Sequence, residues 1–144
     1  MAKKVKVGLL VILAVILTSV LVWAANDVRE EKLRWTGLDT CATALNIKSI
    51  GAFKTTLSCT GSTNVYSGYY AGVIVYLEKY DSDGDWVTVT AWSDYDSDFA
   101  AVSEDYKVTA GRYRLSTTHR SYTSNDYSTP FETHYMTSYE VVTH

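Results

Sequence analysis

An all-β fold, an antiparallel sandwich of about seven strands, is predicted by three observations. The chain is rich in strand formers, with 12 Tyr and abundant Thr, Ser and Val. Its single proline is Pro130. Beyond residue 35 the apolar residues alternate with period two, interrupted by turn signals roughly every ten residues, and no stretch there has helical periodicity.

The first residues have a different character. Lys3, Lys4 and Lys6 precede a run from Val7 to Trp23 that contains no charge. A basic head followed by an apolar stretch is what export machinery reads. Val22 and Ala24 stand at the two positions where the cleavage rule asks for small residues, so a cut after Ala24 is expected. The alternative is an uncleaved anchor, because about 18 apolar residues begin to span a bilayer. Lysines on the cytoplasmic side leave the rest of the chain outside in both cases. The expected organisation is a signal peptide or anchor helix over 1–24, a polar linker over 25–39 and one β domain over 40–144. No Cys follows the apolar run closely enough for lipid attachment, and the C-terminal residues carry no second hydrophobic anchor.

Three of the 13 Lys and Arg lie in the basic head, leaving 10 against 16 Asp and Glu, a net charge of −6. An acidic surface argues against nucleic acid, whose binding needs clustered cations to displace counterions. It also argues against adsorption to anionic lipid, leaving the N-terminal segment as the expected membrane contact. About 120 residues suffice for one core.

The strands follow in order. Cys41, Thr43, Leu45 and Ile47 share one face, Ser49-Ile50-Gly51 turns the chain, and Phe53, Thr55, Leu57 and Cys59 share a face on the return. A hairpin centred on Ile50 places Ile47 opposite Phe53 and Cys41 opposite Cys59, which predicts a disulfide between the two cysteines of an exported chain. In the second hairpin Val73, Val75 and Leu77 alternate before Asp81-Ser82-Asp83-Gly84-Asp85, and Val87, Val89 and Ala91 alternate after it. A loop centred on Asp83 pairs Leu77 with Val89 and puts both sets inward, with Tyr76, Tyr80, Trp86 and Trp92 on the other face. Further strands are expected at 101–108, 112–122 and 133–142, with a long polar loop over 123–130. Seven strands so spaced read as an immunoglobulin-like sandwich.

Val75-Tyr76-Leu77-Glu78-Lys79-Tyr80, the Asp/Gly turn, Trp86-Val87-Thr88-Val89, Trp92-Ser93 and Tyr106-Lys107-Val108-Thr109-Ala110-Gly111-Arg112-Tyr113-Arg114 resemble a family of small secreted proteins of Gram-positive bacteria. Its function is unknown, and it joins a signal peptide to one immunoglobulin-like sandwich. The resemblance covers residues 40 to 142 and implies fold rather than role. The acidic cluster Asp94, Asp96 and Asp98 departs from the family's Gly/Ser-rich pattern there.

Candidate sites are few. Asp81, Asp83 and Asp85 alternate as in calcium loops, but Gly84 stands fourth rather than sixth and Trp92 occupies the twelfth position, where a Glu is required. A solvated turn uses the same residues. Asp94, Asp96 and Asp98 lie at the other end of the same strand, more than ~20 Å away at ~3.3 Å per residue. His119, His134 and His144 have no metal-binding or triad spacing. No catalytic residue, metal or cofactor is expected, and the chain reads as non-enzymatic. Tyrosine is the informative residue: Tyr66, Tyr69, Tyr70, Tyr122 and Tyr127, with Tyr135 and Tyr139, fall in or beside loops and strand ends. Stiff aromatic area is enriched at recognition surfaces, although Tyr is also simply a good strand residue. The expected partner is an extracellular protein or glycan, with a calcium- or carbohydrate-binding domain as the alternative.

Overall fold

The computed structural model describes residues 27–33 and 35–143, so the signal or anchor segment and its helix lie outside the described residues. Eight strands follow one another: β1 (Asp27–Lys32), β2 (Leu38–Ile50), β3 (Thr55–Val65), β4 (Tyr70–Tyr80), β5 (Trp86–Asp96), β6 (Phe99–Val108), β7 (Gly111–Tyr122) and β8 (Glu132–Val142). They form two antiparallel four-stranded sheets, ordered β1-β2-β3-β6 and β5-β4-β7-β8. The last three expected strands match β6 to β8 to within about two residues, the usual latitude of strand ends. The additional strand is β1, drawn from the stretch expected to be linker. Its polar sequence, Asp27 to Lys32, suits an edge strand, where charge discourages pairing with other chains.

Period-two alternation put the central apolar residues of β2, β3, β4 and β7 inward. Cys41, Leu45, Leu57, Cys59, Val73, Val75, Leu77 and Leu115 form the core between the sheets. Removal of such apolar surface from water is the main favourable term in folding. At Gly61 the sheets approach so closely that an added Cβ would lie 2.8 Å from a Val75 methyl.

The registers differ from expectation, in β2–β3 mainly because the turn sits later than Ile50 and in β4–β5 through a bulge. In β2–β3 opposed residues sum to 104 over Cys41↔Thr63 to Ile47↔Leu57, not 100. The chain reverses over residues 51–54, where the Gly51 amide donates to the Lys54 carbonyl at 2.9 Å, and the register shifts between Ile47 and Ser49. Phe53 therefore sits in the turn, 88% exposed, instead of opposite Ile47. Cys41 faces Thr63 and Cys59 faces Leu45, four residues apart along the pair. At ~3.3 Å per residue that is ~13 Å, beyond the reach of a disulfide. The predicted bridge is overturned: Cys41 and Cys59 are both free and buried. Burial, first, and nearby carboxylates push each thiol up to about 12, which leaves them protonated and inert at neutral pH.

The β4–β5 hairpin keeps its loop centred on Asp83, with Tyr80 opposite Trp86. A bulge then leaves Val89 unpaired, between Glu78↔Thr88 and Leu77↔Thr90. One residue changes the face of everything beyond it. Trp92 turns inward onto Tyr106 and the core, while Tyr76, Tyr80 and Trp86 stay outside. Ala91, expected inside with Val87 and Val89, turns outward, and Val87 and Val89 are half exposed.

Polar contacts tie the sheets together. The imidazole of His119 on β7 is fully buried, with Thr63 Oγ1 of β3 2.8 Å from Nδ1 and Thr117 Oγ1 2.7 Å from Nε2. The Thr63 hydroxyl also donates to the Gly72 carbonyl at 3.0 Å and the Thr117 hydroxyl to the Met136 carbonyl at 3.4 Å, so the imidazole is tied to both neighbouring strands as well as to β3. At the open edge, His134 of β8 meets Glu31 of β1 at 2.7 Å. Glu132 accepts the amides of Thr36, Gly37 and Leu38 at 2.8–3.0 Å and the Ser121 hydroxyl at 3.1 Å, fixing the β1–β2 connection.

The registers also give the sandwich two distinct ends. At one end lie the β2–β3, β4–β5 and β6–β7 turns, and β1 enters from that side because Asp27 pairs with Leu45 and Lys32 with Thr40. At the other lie residues 33–37, 66–69, 97–98 and 123–131.

Candidate aromatic recognition site

The strand ends of the second sheet bring tyrosines together at the end opposite the chain's entry. Tyr70 starts β4 and Tyr122 ends β7, and the two are paired across the sheet. Tyr95 joins them from β5, opposite Gly72, where an added Cβ would lie 2.9 Å from both the Tyr95 and Tyr122 rings. The glycine thus makes room for aromatic packing across the strands.

The loop after β7 returns a further ring to this group. Tyr127 has φ 53°, a left-handed conformation uncommon for a bulky side chain. The turn around it is held by Asp126, which accepts the Ser128 amide at 3.0 Å and its hydroxyl at 2.9 Å. Tyr127 lies 5.2 Å from Tyr95, 5.3 Å from Tyr122 and 6.1 Å from Tyr70, centroid to centroid, mostly in tilted or edge-on arrangements. These are the favoured geometries for aromatic pairs. Beside them Tyr69 stacks on Phe131 at 5.6 Å. Backbone strain of this kind concentrates where a surface is shaped for use.

Of the five tyrosines expected at a partner surface, Tyr70, Tyr122 and Tyr127 are in mutual contact. Tyr69 belongs to the adjoining stack, and Tyr66 stands on the exposed β3–β4 turn. Tyr122 is buried and serves as the floor of the group. Tyr95 and Phe131 were missed in the sequence, and both are exposed. Desolvation first, then Asp96, Tyr70 and Asp94, raises the Tyr127 phenol above its ordinary value, and desolvation leads a similar rise at Tyr95. Both stay neutral donors at physiological pH. The group offers stiff apolar rings with polar tips, which is the chemistry of a recognition surface.

Tyr135 and Tyr139 lie elsewhere, on the outer face of the second sheet. There Tyr80, Trp86 and Tyr139 form a row at 5.2 and 6.0 Å, braced by Arg112 over Tyr80 at 4.8 Å and Arg114 over Trp86 at 4.5 Å. Glu78 receives Arg114 Nε and the Ser116 hydroxyl, each at 2.6 Å. Burial would raise the Glu78 carboxyl, but the Arg114 and Ser116 hydrogen bonds and the Arg114 charge hold it below its ordinary value. The guanidiniums occupy ring faces, so this row is a brace across all four strands of the second sheet.

The acidic residues serve turns. Asp81 Oδ1 accepts the Asp83 and Asp85 amides, both at 2.9 Å, Asp94 accepts the Ala101 amide at 2.9 Å and Asp96 the Ser97 amide at 2.7 Å. No group of three or more potential metal ligands occurs among the described residues. His119 is enclosed between the sheets, its side chain fully buried. His134 packs edge-on against Trp35 while engaging Glu31, and His144 lies outside the described residues. Among the described residues no helix is long and apolar enough to cross a membrane. Comparison of the chain with protein-family models, curated proteins and solved structures gives no match.

Proposed function

We propose that the chain is exported and acts outside the cytosol as a non-enzymatic β-sandwich module, presenting its aromatic end to a protein or glycan. The observation that carries this reading is the gathering of Tyr69, Tyr70, Tyr95, Tyr127 and Phe131 at the end opposite the chain's entry. A basic head and uncharged run at residues 3–23 support export, and an uncleaved run would hold the entry end toward the membrane and the aromatic end away from it.

An immunoglobulin-like topology has two supports. With β1 set aside, the strand order is β2-β3-β6 against β5-β4-β7-β8, the arrangement in which the fourth strand has joined the second sheet. Near the start of β7 the Tyr113 hydroxyl donates to the Thr109 carbonyl at 2.8 Å, as in the tyrosine corner of such domains. Two residues on, where antibody domains place a cysteine, stands Leu115. Kinship with the secreted Gram-positive family remains part of this proposal.

The test is binding of the purified protein to envelope glycans and surface proteins of the producing cell. A variant with Tyr66→Ser, Tyr69→Ser and Phe131→Ser leaves the Tyr122 floor intact and should lose at least tenfold in affinity. Val141→Ser, exposed at the other end, should not. Equal binding by both variants would remove the aromatic end from the account.

A further inference from the structure

We propose that the entry end of the sandwich docks on a lipid bilayer, with the β2–β3 hairpin tip inserted in the interface. The inference rests on the reading that the uncharged run Val7–Trp23 stays as an anchor.

Chain length supplies the first argument. Only residues 24–26 separate Trp23 from Asp27, and four Cα–Cα steps span at most ~14 Å. Asp27 is level with Leu45, while the β2–β3 hairpin continues to Ile50, five residues further in the same direction. At ~3.3 Å per residue the tip projects ~16 Å beyond Asp27. With Trp23 at the membrane–water interface, where tryptophan concentrates, the tip overlaps the headgroup layer.

The side chains at the tip suit that position. Phe53 is 88% exposed and Ile50 70% exposed, the two most exposed large apolar residues of the turn, with Lys48 and Lys54 on either side. Rings and branched chains enter the acyl boundary while lysines reach the headgroups. Beside the hairpin an open groove of about 250 Å³ is lined by Lys54, Lys79 and Lys107 around Val89, Val108 and Tyr106. Three cations around an apolar floor fit an anionic headgroup and the start of its chain.

The protein's net negative charge does not oppose this contact uniformly. Lys48 is engaged by Asp105, and the aspartates of the β4–β5 turn belong to the second sheet rather than to the β2–β3 hairpin.

The experiment uses the full chain reconstituted in vesicles of phosphatidylcholine with one-third phosphatidylglycerol. Phe53→Cys and Ser67→Cys variants carry an environment-sensitive fluorophore, the buried Cys41 and Cys59 staying unlabelled in the native state. Flotation reports the anchor, and quenching by bromine-bearing lipid chains reports the hairpin. Flotation with strong quenching at position 53 and none at 67 supports the proposal. Flotation with both positions unquenched overturns the docking and leaves the anchor standing. Failure to float overturns both. An Ile50→Ser, Lys54→Ser variant, with label at 53, should float and lose at least half the quenching; unchanged quenching would also overturn the proposal.

Discussion

His119 gives the fold a defined acid sensitivity. Enclosed between the sheets and hydrogen-bonded to Thr63 and Thr117, it is held neutral, and desolvation, reinforced by the nearby His134, lowers its pKa from 6.5 to about 3. In the unfolded chain the imidazole titrates at its ordinary value. Above that value neither state binds the proton and stability is unaffected. As pH falls below 6.5 the unfolded state takes up a proton that the folded state refuses, so stability declines until about pH 3. The linkage gives a loss of about 2 kcal/mol at pH 5 and about 3 kcal/mol at pH 4. His119→Gln keeps a neutral polar group near the hydroxyls and removes the titration, at a pH-independent cost of about 1–3 kcal/mol for imperfect packing and hydrogen bonding. Urea unfolding at pH 7, 6 and 5 separates the two effects. The variant should be less stable at pH 7 yet lose about 2 kcal/mol less than the parent between pH 7 and 5. Equal losses over that interval would refute the claim that this imidazole is buried neutral.

Other consequences follow from single contacts. Glu132→Ala leaves the amides of residues 36–38 without their carboxylate; it should cost about 2–4 kcal/mol and speed hydrogen exchange at 36–38 before the core. Gly61→Ala places a methyl 2.8 Å from Val75, with an expected cost of about 1–3 kcal/mol in thermal or urea unfolding. A thiol reagent should find no reactive cysteine in the native protein and two in denaturant, and the mass without reductant should match two free thiols.

What the sequence disclosed and what it concealed have a common physical origin. Alternation reports which face a residue occupies, and an even register error leaves faces unchanged. The shift from 100 to 104 in β2–β3 therefore kept Cys41, Leu45, Leu57 and Cys59 inside while separating the cysteines. A one-residue bulge does the opposite. The bulge at Val89 moved Trp92 to the core and turned Ala91 outward, although the loop centre at Asp83 was right. Bulges depend on packing across the sandwich and leave little trace in local pattern. The aromatic end was partly legible, because Tyr69, Tyr70, Tyr122 and Tyr127 flank turn signals. Tyr95 lies within a strand, and the clue to its role was Gly72, a glycine inside a strand pattern that admits a ring from the neighbouring strand. β1 was missed because an edge strand with charged residues resembles a linker in composition.

The central claim is that the sandwich is displayed outside the cytosol with its aromatic end accessible. Ser67→Cys sits on the exposed β3–β4 turn beside Tyr66 and Tyr69, while the two native thiols are buried. Intact producing cells treated with a membrane-impermeant maleimide provide the measurement. The account predicts labelling of this variant, on the cells or in their medium, without lysis. Labelling seen only after the cells are broken would contradict it.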